Sequence, residues 1–329
     1  MRRIRSAALV AFVTGAVVMT STPAVAGTDL HVTGWALPSA SNALIARNTG
    51  LDTLSVVGVS INAAGSRVTA VPDDSKRLRR TADDHGLRAE LLINNWSNRL
   101  EDFDPRALHR MLSHPARLRA VADQAARRVA SGGWDGLNVD FERLRAADGA
   151  EFVTLLERLR AKLPDGAALS VDVSARQSLA SYREAGYRLG AIARVVDLVQ
   201  LMTYDLHGPT WSGPGAIGDL RWQRRCLDAA LQRVPADKLD LGIAGYGYTW
   251  PEVGTGRSLT VRQARRLVDD DGATAEWDDD AGEWTATLSD GTVVWWSDGD
   301  SYDLRRDLAT SHGLHGVAVW RVGSADTLT

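Results

Sequence analysis

Cysteine is almost absent from this 329-residue chain. Cys226 stands alone, so no intrachain disulfide can form, and a small buried thiol is expected. One thiol and scattered histidines leave no zinc cluster to build. No basic block interrupts the interspersed charges, so nucleic acid and anionic membrane surfaces are not indicated as partners. No Gly-rich phosphate loop follows the first predicted strand, which argues against a nucleotide-binding fold. No low-complexity linker or short internal repeat divides the chain. Phenylalanine is scarce, with 4 Phe against 11 Trp. A core does not require that bias, because a buried Trp needs a partner for its N–H.

What is present begins with the basic start Met1-Arg-Arg-Ile-Arg5. A short apolar run follows, and Ala24-Val25-Ala26 completes an A-x-A cleavage site. The pattern predicts a secretory signal peptide over 1–26 and a mature chain over 27–329. A membrane anchor is the alternative, but the run is short and contains Thr14 and Thr20. Loss of Arg2, Arg3 and Arg5 moves the net charge from -3 to -6. No later stretch is long and apolar enough to span a bilayer, so no membrane association is expected after cleavage. A monomer is expected.

About 300 mature residues suffice for one large α/β domain. Strands are predicted at 30–37, 53–62, 87–94, 133–142, 167–174, 195–204, 238–246 and 314–320. Helical stretches alternate with them, at 40–48, 75–85, 105–130 with a break near Ser113–Pro115, 151–163, 178–192, 219–234 and 301–311. Eight strands with helices between them point to a (β/α)8 TIM barrel, with a doubly wound open sheet as the alternative. Residues 251–299 break the alternation. They carry a helix near Val261, three short strands and a Ser289-Asp290-Gly291 hairpin turn, and read as a small α+β insertion between strands seven and eight. No helix follows strand eight, which leaves closure at that seam open.

The chain is organised around Asp135-Gly-Leu-Asn138-Val-Asp140-Phe-Glu142. Alternation puts Asn138, Asp140 and Glu142 on one face of the fourth strand, roughly 6.5–7 Å apart. Polar groups on an apolar strand are costly to bury without partners. Two neighbouring acids repel, which raises one pKa and leaves the other group charged. That division suits a protonated general acid beside a charged helper. A structural ion network is the plain alternative. A metal site lacks a nearby histidine.

This run resembles the D-x-x-D-x-D-x-E motif of family 18 glycoside hydrolases, a family of chitinases, chitobiases and endo-β-N-acetylglucosaminidases. Asn138 departs from it, standing where most chitinases have the middle Asp. The resemblance is closer to the branch of spore-germination and cortex-lytic enzymes and to chitobiases. Three further strand ends fit the family's order. Gln200, Met202 and Tyr204 alternate onto one face of strand six with Asp205 at its exit, similar to the family's M-x-Y-D. Tyr246 lies between Gly245 and Gly247 after strand seven, glycines that would let the backbone approach a ligand. Trp320 ends strand eight, and Trp35 ends strand one at another family aromatic position. Asn94-Asn95-Trp96 at the end of strand three is a weaker cleft candidate. His207 reads as a structural loop histidine, and Tyr248 and Trp250 as packing for the insertion.

The resemblance implies a secreted glycosidase that needs no metal or organic cofactor. Glu142 would be the general acid, Asp140 would orient the substrate's acetamido N–H, and Tyr204 would hold the acetamido oxygen. Trp35, Asn138, Gln200, Met202, Asp205, Tyr246 and Trp320 would bind the sugar. Aromatic faces stack well on the C–H faces of sugar rings, which would also account for part of the Trp excess. Trp222 and Trp284 are the expected exceptions, packing in the core or insertion. The implied substrate is a β-linked N-acetylglucosamine glycan, with peptidoglycan or its fragments favoured over chitooligosaccharides and N-glycans. A non-catalytic, chitin- or glycan-binding lectin on the same barrel is the alternative.

Overall fold

The computed structural model describes residues 30–329, so the expected signal peptide lies outside the described residues. Eight parallel strands close into a barrel: His31–Ala36, Thr53–Ser60, Arg88–Asn94, Gly136–Asp140, Ala168–Ser174, Leu198–Met202, Leu239–Ala244 and Gly316–Trp320. They are called strands one to eight. Each predicted strand is present, within a few residues at its ends, and the open-sheet alternative falls away.

The seam left open by the sequence is closed by strand pairing. Strand one pairs in parallel with strand eight from His31↔Gly316 to Gly34↔Val319. The segment after strand eight takes the place of a final helix. Val322 N donates to Trp35 O, Gly50 N to Leu328 O, and Leu328 N to the Asn48 side chain. Val322 and Leu328 are buried against the barrel.

Local signals set the helix ends. Asp104 caps Pro105–Leu112 by accepting from the Arg106 and Ala107 amides, with Pro105 pre-set for the first turn. The break near Ser113–Pro115 is real, and Pro115–Gly132 is a separate helix. The expected helix over 178–192 is two, Leu179–Glu184 and Leu189–Ile192. The first closes where Tyr187 N returns to Tyr182 O, which brings both tyrosines into the core.

The outward faces of the strands, with Leu137, Val139, Leu169, Val171 and Leu241, bury against the helices. The inward faces are unusual for a barrel, where branched aliphatic layers are the norm. Here Glu90, Asn138, Ser170, Asp172, Gln200 and Asp240 are all buried. They are linked by hydrogen bonds, which is what makes their burial tolerable.

The insertion begins at Gly247 rather than Pro251. Gly247–Trp250 already belongs to a five-stranded sheet with Ser258–Leu259, Val293–Trp296, Glu283–Thr287 and Glu276–Asp278. The helix Val261–Asp271 packs on that sheet and starts in a capping box between Thr260 and Gln263. Trp284 stacks on Trp296 at 6.2 Å, so it packs the insertion as expected. Gly245 and Gly247 do not serve ligand approach. A Cβ at Gly245 would meet Ala325, and one at Gly247 would meet the Trp295 carbonyl.

Candidate active site

The ends of strands four, five and six open into a cavity of about 460 Å³, lined by Glu142, Ser174, Arg176, Met202, Tyr204 and Asp205 among others. Glu142 lies two residues past the end of strand four. Its backbone is held from both sides by one amide: Glu142 N donates to Asn95 Oδ1 at 2.9 Å, and Asn95 Nδ2 donates to Glu142 O at 3.0 Å. Asn95 is buried and cannot swing away. Burial pushes the Glu142 carboxyl well above the usual range, and the acids Asp140 and Asp205 add to it. A carboxyl so placed keeps its proton toward neutral pH and can act as a general acid.

Asp140 is buried below it, and its Oδ1 has no hydrogen-bond partner among the described residues. An acceptor buried in that state is costly and marks a place where a donor is wanted. Burial and the neighbouring Asp172 hold its pKa well above the ordinary value.

Tyr204 stands across the cavity, half-buried, edge-on to Trp35 and to Tyr246, each at 6.4 Å. Its enclosure and the surrounding acids keep the phenol protonated, hence a donor. Asp205 takes a left-handed backbone, with φ of 60°, at the exit of strand six. Its Oδ1 accepts from the Tyr246 hydroxyl and, at 2.8 Å, from the Tyr248 hydroxyl. Two donors fix the carboxylate despite the exposed loop. Met202 lines the cavity, and half-buried Trp320 packs its ring 6.1 Å from Trp35.

Three expected sugar contacts lie elsewhere. Asn138 and Gln200 are fully buried inside the barrel, bonded to other side chains, and support the site from beneath. Trp35 is buried as well. Its N–H goes to Asn138 Oδ1 at 3.2 Å, and its ring backs Trp320 and Tyr204 rather than offering a free face. Their inward pointing is the alternation of the strands, continued one layer too deep to reach a sugar.

Other residues at the site were not singled out from sequence. Tyr248, expected to pack the insertion, holds Asp205 instead. Its signal was there, since Tyr246 and Tyr248 share a parity. Asp172 has a signal too, since Ser170, Asp172 and Ser174 repeat on strand five the polar alternation of strand four. Arg176 could be placed in the cavity only by the fold. Trp222 is buried at the cavity wall, and exposed Trp211 stands edge-on to Tyr248 at 5.8 Å. His207 is a loop residue whose Nδ1 meets the Ala216 carbonyl. Among the described residues, no group of three or more His, Cys, Asp or Glu is arranged to hold a metal.

A closed (β/α)8 barrel with acids gathered at the C-terminal strand ends puts this cavity where barrel enzymes carry their active sites. Comparison with known proteins makes the assignment specific. Residues 60–325 match the family described as Glycosyl hydrolases family 18, and the chain belongs to it. It is a glycosidase. It is 26% identical over 248 residues to the uncharacterized glycosylase YvbX of Bacillus subtilis, covering 72% of each chain. It is 26% identical over 269 residues to the cortical fragment-lytic enzyme of the same organism, covering 78% of this chain and 61% of that one. Among solved structures it resembles a chitinase from Chromobacterium violaceum, with a TM-score of 0.80 and 25% identity over 91% of this chain and 96% of the other.

Proposed function

We propose that this glycosidase is exported and cleaves β-linked N-acetylglucosamine glycans, peptidoglycan or its fragments first, by a retaining, substrate-assisted mechanism. The observation that carries this reading is the buried, unpartnered Oδ1 of Asp140 beneath Glu142. The carboxyl as a whole is 7% exposed, and a substrate that brings its own N–H donor, as a 2-acetamido group does, would meet it there.

Glu142 gives its proton to the glycosidic oxygen as the bond to the leaving sugar breaks. The acetamido carbonyl oxygen attacks the anomeric carbon and closes an oxazolinium ring, in place of the enzyme carboxylate used by two-carboxylate glycosidases. Asp140 accepts the acetamido N–H, and the Tyr204 hydroxyl donates to the acetamido oxygen. Holding that group in attack geometry is an intramolecular advantage of several kcal/mol, by an order-of-magnitude estimate. Glu142, now a carboxylate, takes a proton from water as the water attacks the anomeric carbon and reopens the ring. Two inversions leave the configuration retained.

The preference for peptidoglycan is supported by Arg176. It lines the cavity with Glu142, and no carboxylate pairs with it among the described residues. Chitin offers no charge to it, whereas muramic acid or a stem peptide offers carboxylates. Two further supports are the export-type N-terminus and the likeness to the cortical fragment-lytic enzyme.

The test is product analysis by mass spectrometry, with purified peptidoglycan and chitooligosaccharides as separate substrates. Reducing-end N-acetylglucosamine fragments are expected, with a loss of about 10³-fold or more in Glu142→Gln. Hydrolysis of glucans lacking the acetamido group would overturn the mechanism. Binding without turnover would favour a lectin.

A further inference from the structure

Strand five carries a buried acid for which the mechanism above has no use. Strands four and five pair in parallel with Asn138 beside Ser170 and Val139 beside Val171. The next step along both strands brings Asp140 level with Asp172. Neighbouring strands lie about 4.8 Å apart. Both side chains share the inward parity of Asn138 and Ser170, which bond to each other inside the barrel at 3.0 Å. Two buried carboxyls therefore stand abreast under the catalytic acid.

Their surroundings differ, and Asn138 makes the difference. Trp35 Nε1 and Ser55 Oγ both donate to Asn138 Oδ1, at 3.2 Å each. An indole N–H can only donate, so the Asn138 amide cannot flip. Its Nδ2 must face strands five and six, where it reaches Asp172 Oδ1 at 2.8 Å. A hydrogen-bonded amide favours a charged carboxylate. Asp140 Oδ1 has no such donor. Two adjacent buried carboxyls do not both ionise. The charge falls to Asp172 and the proton to Asp140.

We propose that Asp172 is a positioning residue of this active site: it shares one proton with Asp140, so that the two carboxyls carry a single negative charge, which Asp140 can take up when the substrate calls for it. The inference rests on the substrate-assisted reading given above. As positive charge forms on the acetamido group, the shared proton moves from Asp140 toward Asp172, and the negative charge moves to Asp140. No proton leaves the pair, and the proton of Glu142 goes to the leaving oxygen. Burial raises the affinity of both carboxyls for that proton, and the bond from Asn138 opposes the rise at Asp172 alone. The other titratable groups facing Asp172 are Glu90 on strand three, Glu142 after strand four, Tyr204 after strand six and Asp240 on strand seven.

The test moves the carboxylate between strands. Asp172→Asn retains an oxygen to accept from Asn138, so folding is expected to survive, as thermal unfolding would record. With chitotetraose and purified peptidoglycan as substrates, it should lower kcat by about 10- to 100-fold with KM nearly unchanged. The alkaline limb of its pH profile should move to lower pH, because a negative neighbour of Glu142 is gone. The double variant Asn138→Asp with Asp172→Asn puts a carboxylate back beside Asp140 and should recover most of kcat and the original limb. An unchanged kcat and profile in Asp172→Asn would overturn the proposal and leave the mechanism standing. So would equal losses in the single and double variants with native unfolding curves. No turnover by the unaltered enzyme on either substrate would overturn the mechanism, and the proposal with it.

Discussion

At the scale of single residues, the groups proposed to act are distinct from the groups that hold them. Glu142 and Tyr204 face the cavity, while Asn95 holds the backbone of Glu142 and Tyr246 and Tyr248 hold the carboxylate of Asp205. Arg176 belongs to neither set. Its guanidinium donates to the Ala175 carbonyl and has no carboxylate partner among the described residues, in a cavity that also holds Glu142 and Asp205. Arg176→Gln should therefore weaken turnover of carboxylate-bearing glycan more than turnover of a neutral chitooligosaccharide. A difference of about tenfold in kcat/KM corresponds to about 1.4 kcal/mol, the scale of one charge-assisted contact. Parallel kinetics on muramic-acid-containing and neutral glycans would measure it. An equal effect on both would remove Arg176 as a support for the peptidoglycan preference.

Most of the candidate site residues are legible in the sequence as types on particular strands. Asp140, Glu142, Met202, Tyr204 and Asp205 stand where alternation and strand-end logic put them. Depth was not legible. Asn138 and Gln200 have the same parity as Asp140 and Tyr204 but lie a layer lower, and parity alone does not say how far down a barrel the cavity reaches.

At the scale of elements, the insertion does more than extend a wall. Glu283, on one of its strands, accepts from the amides of Ile217 and Gly218 in the loop after strand six, at 2.7 and 2.9 Å. Arg305, on the helix Gly299–Ser311, is fully buried and pairs with Glu283 at 3.2 Å. It also donates to the carbonyls of Gly218, Ala281, Gly282 and Ser301. One ion pair thus clamps the insertion, the strand-six loop and a barrel helix together. Removing one partner strands a buried charge and uncaps two amides. Glu283→Ala should lose about 3–5 kcal/mol, read as a lower denaturant midpoint, and should loosen the loop leading from Asp205. A loss below about 1 kcal/mol would mean that the clamp is not structural. The insertion was readable from its broken periodicity, but its start at Gly247 was not. Gly247–Trp250 continues the apolar run of strand seven, and only its pairing with Val293–Trp296 assigns it to the second sheet.

At the scale of the whole molecule, the polar interior of the barrel makes stability depend on pH. Burial pushes the Glu90 carboxyl from 4.5 up to about 7, against the opposing hydrogen bond from Ser170 Oγ at 2.7 Å. The folded chain then holds a proton that the unfolded chain releases. Glu90's contribution to stability is full below about pH 4.5 and is lost as pH rises through about 7. At about 1.4 kcal/mol for each tenfold change in proton affinity, the loss is about 3 kcal/mol. Asp140, Glu142 and Asp172 are raised in the same direction and steepen the fall. Urea unfolding at about pH 5 and about pH 8 should show it, and Glu90→Gln should flatten the slope. An unchanged slope in that variant would show that Glu90 is charged in the folded barrel.

By itself, the sequence determined the alternation of strands and helices, the acid row on strand four, the aromatic and Asp-bearing strand ends, and the insertion between strands seven and eight. These are local or periodic properties, written in the spacing of apolar, polar and turn residues. Only the tertiary structure decided how the barrel closes without a final helix, which polar side chains lie below the cavity, and which partners meet across strands. Asp172 beside Asp140, Tyr248 on Asp205 and Arg305 on Glu283 are contacts between distant parts of the chain. They depend on strand register and barrel curvature, which no local pattern encodes.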